Sequence, residues 1–224
     1  MPKDFSVKAR PFDFPYDGQL DPARAALLVI DLQVDFLASD GYFARKGYDP
    51  APLRAILPAV GALLAAARAA GFLIVHTRQG YRADMADMTD YERWRRRRAG
   101  LDGTTVMLRD TPGYRIVPEI AVAATDVVVD KTANGAFTHT DLDHVLRARD
   151  VTHLLFTGCT TDVCVHSTLR EAVDRNFQCL LIEDACASAD RYAHEAAIHM
   201  VTVEDGVFGA VAAAADVLAA LRRL

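Results

Sequence analysis

Short runs of purely apolar residues recur along this chain, and each is followed by a segment with helical spacing. The runs occupy residues 25–31, 72–77, 126–130, 153–158, 178–183 and 200–203. They are β-branched or Leu-rich and do not alternate with polar residues, as expected of parallel strands covered on both faces. Amphipathic helical segments lie between them at 50–70, 140–149, 162–175 and 190–199, with a terminal helix over 211–224. Gly71 ends the first helix, and Asp162 is placed to cap the third. Strand alternating with helix predicts a doubly wound α/β sheet. There is no internal repeat and no linker, so the reading is one domain over 1–224. Residues 1–20 form an N-terminal arm, and 79–113, too long for a plain connection, form an insertion near a binding site.

Composition narrows the class. At 51% hydrophobic residues in 224, the chain can bury one ordinary core. A net charge of −5 gives no support for nucleic-acid or acidic-membrane binding. No apolar run approaches the ~18 residues of a membrane span, and residues 1–10 lack the apolar centre of a signal peptide. The four cysteines, 159, 164, 179 and 186, fall within 28 residues without a CxxC pair. Reduced thiols in a cytoplasmic protein, with no zinc, are the expectation.

The chemistry collects where parallel strands end, because ligands bind at the carboxyl ends of such sheets. Asp31 closes the run Leu27-Leu28-Val29-Ile30, Lys131 closes Val127-Val128-Val129-Asp130, and Cys164 follows the fourth strand just inside a helix. Each has a plain reading: a turn cap, a solvated strand end, a buried small hydrophobe. On one rim, however, an acid, a cation and a thiol make a nucleophile with a proton acceptor and an electrostatic partner. A thiol near the unsatisfied N–H groups of a helix start is expected to favour thiolate. Covalent catalysis by Cys164 follows.

These residues also carry a resemblance. Leu28-Val29-Ile30-Asp31-Leu32-Gln33-Val34-Asp35-Phe36, then Val129-Asp130-Lys131, then Thr157-Gly158-Cys159-Thr160-Thr161-Asp162-Val163-Cys164, resemble the isochorismatase-like cysteine hydrolases over nearly the whole chain. The resemblance implies a Rossmann-like three-layer sandwich whose six-stranded parallel sheet has the order 3-2-1-4-5-6. It also implies an Asp31–Lys131–Cys164 triad, a non-proline cis peptide between Cys159 and Thr160, and an oxyanion hole from the backbone N–H groups of Thr160 and Cys164. Gln33, Phe36, Phe137 and Glu204 become the implied substrate contacts. Family members acting on vinyl ethers lack the cysteine, so its presence implies C–N cleavage. The nicotinamidase branch carries an Asp-x-His metal pattern where this chain reads His76-Thr77-Arg78-Gln79; neither a metal nor another cofactor is implied, and His76 is read as a buried or hydrogen-bonded strand residue.

Within the family, Phe14-Pro15-Tyr16-Asp17-Gly18, His76-Thr77-Arg78-Gln79-Gly80-Tyr81-Arg82 and Ala86-Asp87-Met88 resemble the biuret and triuret hydrolase branch. That branch implies a small ureide substrate, ammonia release and a homodimer or homotetramer. Biuret hydrolases are similar but have Gln where this chain has Glu204. A carboxylate only accepts hydrogen bonds, so Glu204 is expected to suit a substrate rich in N–H groups and to oppose one ending in a carboxylate, unless it points to solvent. The run Arg93-Trp94-Arg95-Arg96-Arg97-Arg98 fits a solvated helix face, a subunit contact, or a lining of the site by Arg93 or Arg97. Phe5, Phe12, Phe14 and Tyr16 of the arm fit core or subunit packing.

Overall fold

The apolar runs pair side by side because each is buried on two faces and must satisfy its backbone within a sheet. In the computed structural model, which describes residues 3–101 and 107–224, a two-residue antiparallel pair, β1 (Lys3–Asp4) and β2 (Gln19–Leu20), precedes the main sheet. The main strands are β3 (Ala25–Ile30), β4 (Leu73–Gln79), β5 (Val127–Lys131), β6 (His153–Cys159), β7 (Gln178–Ala187) and β8 (Ala210–Ala212). They lie in the order β5-β4-β3-β6-β7-β8, all parallel, which is 3-2-1-4-5-6 counted along the chain. The expected α/β architecture is therefore present.

Helices cover both faces. After β3 come α1 (Val34–Leu37), α2 (Tyr42–Arg45), α3 (Ala51–Ala55) and α4 (Leu57–Ala70). The later helices are α5 (Asp90–Arg98), α6 (Leu142–Arg147), α7 (His166–Val173), α8 (Arg191–Gly206) and α9 (Ala214–Leu221). Alternate β3 residues serve different layers, as a period of two requires. Leu27 and Val29 pack with Leu63 of α4 and Val217 of α9, while Leu28 and Ile30 pack with Leu146 of α6 and Leu169 of α7. The stretch Ala51–Ala70 reaches a mean hydropathy of 1.5 and is apolar enough to match a membrane span, contrary to the composition reading. Here Leu57, Val60, Leu63 and Leu64 join the core, and Arg54 and Arg68 pair with Glu119 and Asp126.

Gly71 closes α4 in the left-handed conformation, as expected, at φ 88°. Two boundaries differ from expectation. Residues 200–202 belong to α8 and Val203 begins a kink in it, so no strand forms there; Ala197, Ile198 and Val201 bury one helical stripe. The sixth strand is instead Ala210–Ala212, inside the stretch read as the start of the last helix, which begins at Ala214. Alanines read as helix formers, but this segment is fully buried against β7 and its free edge bonds Arg10 in both directions. The arm thereby shields the sheet edge. It buries Phe5 and Phe14, whereas Tyr16 is exposed. At the opposite edge β5 alternates, with Val128 exposed and Val129 buried, so only one of its faces is covered.

His76, His153 and His166 are buried, and that burial holds each imidazole below its ordinary pKa. In the unfolded chain they return to about 6.5 and take up protons that the folded chain resists. Their contribution to stability is complete above that value and is lost as pH falls toward the lowered folded values. The urea midpoint is expected to be lower at pH 5.5 than at pH 7.5; equal midpoints would contradict this reading.

Candidate active site

Four strands of the sheet, β5, β4, β3 and β6, end side by side, and the site is built on their rim. Asp31 follows β3 in the left-handed region at φ 52°, a conformation Asp tolerates better than most residues. Its neighbour β6 comes close through Gly158, where a β-carbon would strike the backbone of Ile30. The next bond, Cys159–Thr160, is cis, and Cys159 donates its thiol hydrogen to the Asp31 carbonyl at 3.2 Å. On the other side the Thr77 hydroxyl donates to Asp31 Oδ1 at 2.6 Å. Lys131, at the end of β5, places Nζ 2.8 Å from Asp31 Oδ2, with both side chains fully buried. The ammonium also donates to the carbonyls of Ala133 at 3.1 Å and Asn134 at 2.9 Å. Burial alone opposes a charged ammonium, but attraction to the Asp31 carboxylate leads the effects that hold Lys131 above its ordinary value.

Cys164 sits in a π-helical turn, Thr161–Val165, that leads into α7. Asp162 makes no side-chain cap there; the cap position is Thr160. The expected thiolate is also corrected. Burial pushes the Cys164 thiol up to about 12; Lys131 pulls it down and Asp31 pushes it further up. Desolvation of the buried sulfur outweighs the helix terminus. The resting form is a neutral thiol that donates to Gln79 Oε1 at 3.3 Å. Beside it stands an intact carboxylate–ammonium pair. The other three cysteines are likewise free and buried.

A half-open cavity of about 750 Å³ leads to Cys164. Thr160 and Gln79 flank the thiol; Phe36, Tyr42, Tyr48 and Tyr81 provide aromatic walls. The insertion supplies Tyr91, Glu92, Arg95 and Arg96. Of the arginine run, then, Arg95 and Arg96 line the site, both bonded to Glu92, whereas Arg93 turns back to the Met85 carbonyl at 2.8 Å. Residues 102–106 of the insertion lie outside the described residues. Among the described residues no group of three or more His, Cys, Asp or Glu side chains is arranged to hold a metal. His76 is enclosed and bonds Asp126 at 3.0 Å.

The implied substrate contacts divide. Phe36 lines the cavity; Gln33, Phe137 and Glu204 do not. Gln33 is fully buried and spends its amide on backbone, donating to the carbonyls of Gln79 and Tyr114 and accepting from the Gln79 N–H at 2.7 Å. Two residues on, Asp35 accepts from Met107 N–H at 2.8 Å. The motif's alternate polar residues therefore stitch the insertion to β3. Phe137 packs on Phe177 at 5.9 Å, in the layer behind the site, because its N–H is tied to Glu171 of α7. Glu204 is exposed in the kink near the end of α8, which runs further than a strand reading allowed. Gln79 was not singled out from sequence, because the second strand was expected to stop at Thr77. Its signal was the position itself, a polar residue at the carboxyl end of a central strand.

The Isochorismatase domain family matches residues 25–216. Ureidoacrylate amidohydrolase RutB of Enterobacter sp. (strain 638) is 31% identical over 206 residues, covering 87% of this chain and 88% of that protein. The crystal structure of a cysteine hydrolase from Pseudomonas syringae pv. phaseolicola 1448A superposes with a TM-score of 0.80 at 26% identity, covering 100% of this chain and 99% of that one. An isochorismatase family protein from Burkholderia thailandensis superposes with a TM-score of 0.72 at 30% identity, covering 91% and 97%. The chain belongs to the isochorismatase family of hydrolases. More narrowly, it is an amidohydrolase acting on C–N bonds.

Gln33→Leu tests the stitching role. It strands two buried carbonyls and one N–H at about 1–3 kcal/mol each, so a total loss of roughly 3 kcal/mol or more is expected in urea denaturation. A loss below about 1 kcal/mol would show that these bonds do not hold the rim together.

Proposed function

We propose that the chain hydrolyses the terminal C–N bond of a small linear ureide, with biuret and triuret as the first substrates to consider, and releases ammonia. The observation that carries this reading is the buried Asp31–Lys131 pair, 2.8 Å apart, set behind Cys164, which itself lines the cavity. A ureide carbonyl enters beside the thiol, and the Gln79 amide, which both donates and accepts, matches a carbamoyl group. Asp31 takes the thiol proton, Lys131 steadies the thiolate, and sulfur adds to the carbonyl. The backbone N–H groups of Thr160 and Cys164 receive the oxyanion, worth roughly 3–4 kcal/mol per donor. Asp31 returns its proton to the leaving nitrogen, ammonia departs, and water hydrolyses the thioester. The neutral resting thiol fits this order: proton transfer accompanies substrate binding, when water has left the site.

A second reading, a ureido acid such as ureidoacrylate, is favoured by one wall of the cavity. Lys46 lies over the Tyr42 and Tyr48 rings at 5.3 and 5.5 Å, and no ion pair joins it to a described residue. Arg95 lines the same cavity, so that side offers two cationic side chains to a carboxylate, with Asp162 and Asp190 elsewhere on the lining. The objection drawn from Glu204 has no force where that residue stands outside the cavity.

Ammonia release from biuret, triuret and ureidoacrylate, assayed side by side, tests both. Release from a neutral ureide, lost on the order of 10⁴-fold in Cys164→Ala, is the expected result. A clear preference for the acid would replace it with the second reading. In that event Lys46→Ala should raise KM for the acid about tenfold and leave the neutral ureides unchanged, the scale of one charged hydrogen bond.

A further inference from the structure

The loop that steadies Lys131 is fastened to the helix that follows Cys164. The Lys131 ammonium reaches the carbonyls of Ala133 and Asn134. Just past them, the Ala136 N–H donates to Thr168 Oγ1 at 3.1 Å, and the same hydroxyl donates to the Cys164 carbonyl at 2.6 Å. Thr168 is fully buried, so its hydroxyl has no water to turn to. One turn further along α7, the Glu171 carboxylate accepts from the Phe137 N–H at 3.0 Å and from the Thr138 hydroxyl. Gly135 lies so close to that carboxylate that a β-carbon would collide with it. Loop and helix are thus held at two levels, the first at the Cys164 carbonyl and the second one turn further along α7.

We propose that Thr168 and Glu171 are positioning residues that set the separation between the Lys131 ammonium and the Cys164 sulfur, by clasping the 133–138 loop to the helix that carries the nucleophile. Neither needs to touch substrate. The inference rests on the reading of Cys164 as nucleophile. The groups facing that sulfur are Asp31 from the end of β3, Gln79 from β4, Lys131 from β5 and Cys159 from β6, while Asp162 on its own turn is exposed. Lys131 alone among them favours the thiolate. A loop released from α7 would let its two carbonyls carry the ammonium away, and Coulomb attraction weakens with distance.

The test uses iodoacetamide on the intact chain, with Cys164 modification followed by peptide mass, and so needs no substrate. Thr168→Val is expected to slow alkylation near pH 8 about tenfold, the effect of one pKa unit on the thiolate fraction. Thr168→Ser should restore it to within about twofold, and Glu171→Gln should slow it in the same direction. The effect must act through the lysine. In an Asp31→Asn/Lys131→Met background, where neither partner is left charged, Thr168→Val should change the rate by less than about twofold. Lys131→Arg, which keeps the charge without the ammonium's fit to two carbonyls, is a second background, and the effect should shrink there too. No slowing by either clasp variant overturns the proposal, as does equal slowing with and without Lys131, which would indicate altered access alone. If Thr168→Val does not fold, Glu171→Gln decides by the same criteria. Retained ammonia release by Cys164→Ala would remove the nucleophile reading and leave the alkylation result standing.

Discussion

The Asp31–Lys131 ion pair is the constraint around which the rim is organised. Two charges with fully buried side chains lose their hydration, a penalty of several kcal/mol per ion unless other groups replace the water. The replacements come from separate parts of the chain: the Thr77 hydroxyl from β4, and the Ala133 and Asn134 carbonyls from the loop after β5. Such a pair is weak evidence of stability. Its value is chemical, since it keeps a carboxylate and an ammonium fixed beside a thiol that burial keeps protonated.

That arrangement explains why the polar residues after β3 alternate. Asp31 pairs with Lys131, Gln33 joins the end of β4 to Tyr114, and Asp35 holds Met107. Backbone that lines a cavity has no sheet partner on that side and still needs its hydrogen bonds made. Side chains from the segment after β3 supply them. The insertion is thereby tied to the rim of the sheet and brings Tyr81, Tyr91, Arg95 and Arg96 onto the same cavity as Cys164.

Much of the fold was legible because it depends on short-range pattern. The five longer strands appear within a few residues of where apolar runs stand, and Gly71 ends its helix as composition predicts. The sixth strand was misplaced because Ala210-Val211-Ala212 gains strand character only from its neighbours, β7 and Arg10. At the site, strand-end positions singled out Asp31, Lys131 and Cys164, and the cavity contains Phe36. Gln33, Phe137 and Glu204 carry the right chemistry in suitable segments, yet their partners are the chain itself or solvent.

By itself the sequence determined the order of strands and helices and placed an acid, a cation and a thiol where strands end, since these follow from periodicity and position. Tertiary structure decided the ionisation of Cys164, which depends on how completely water is excluded. It also decided which arginines of one run reach the cavity, because helical rotation sends Arg95 and Arg96 toward Glu92 and turns Arg93 back to Met85. Both are long-range outcomes: burial and direction are properties of the assembled fold, and no local pattern encodes them.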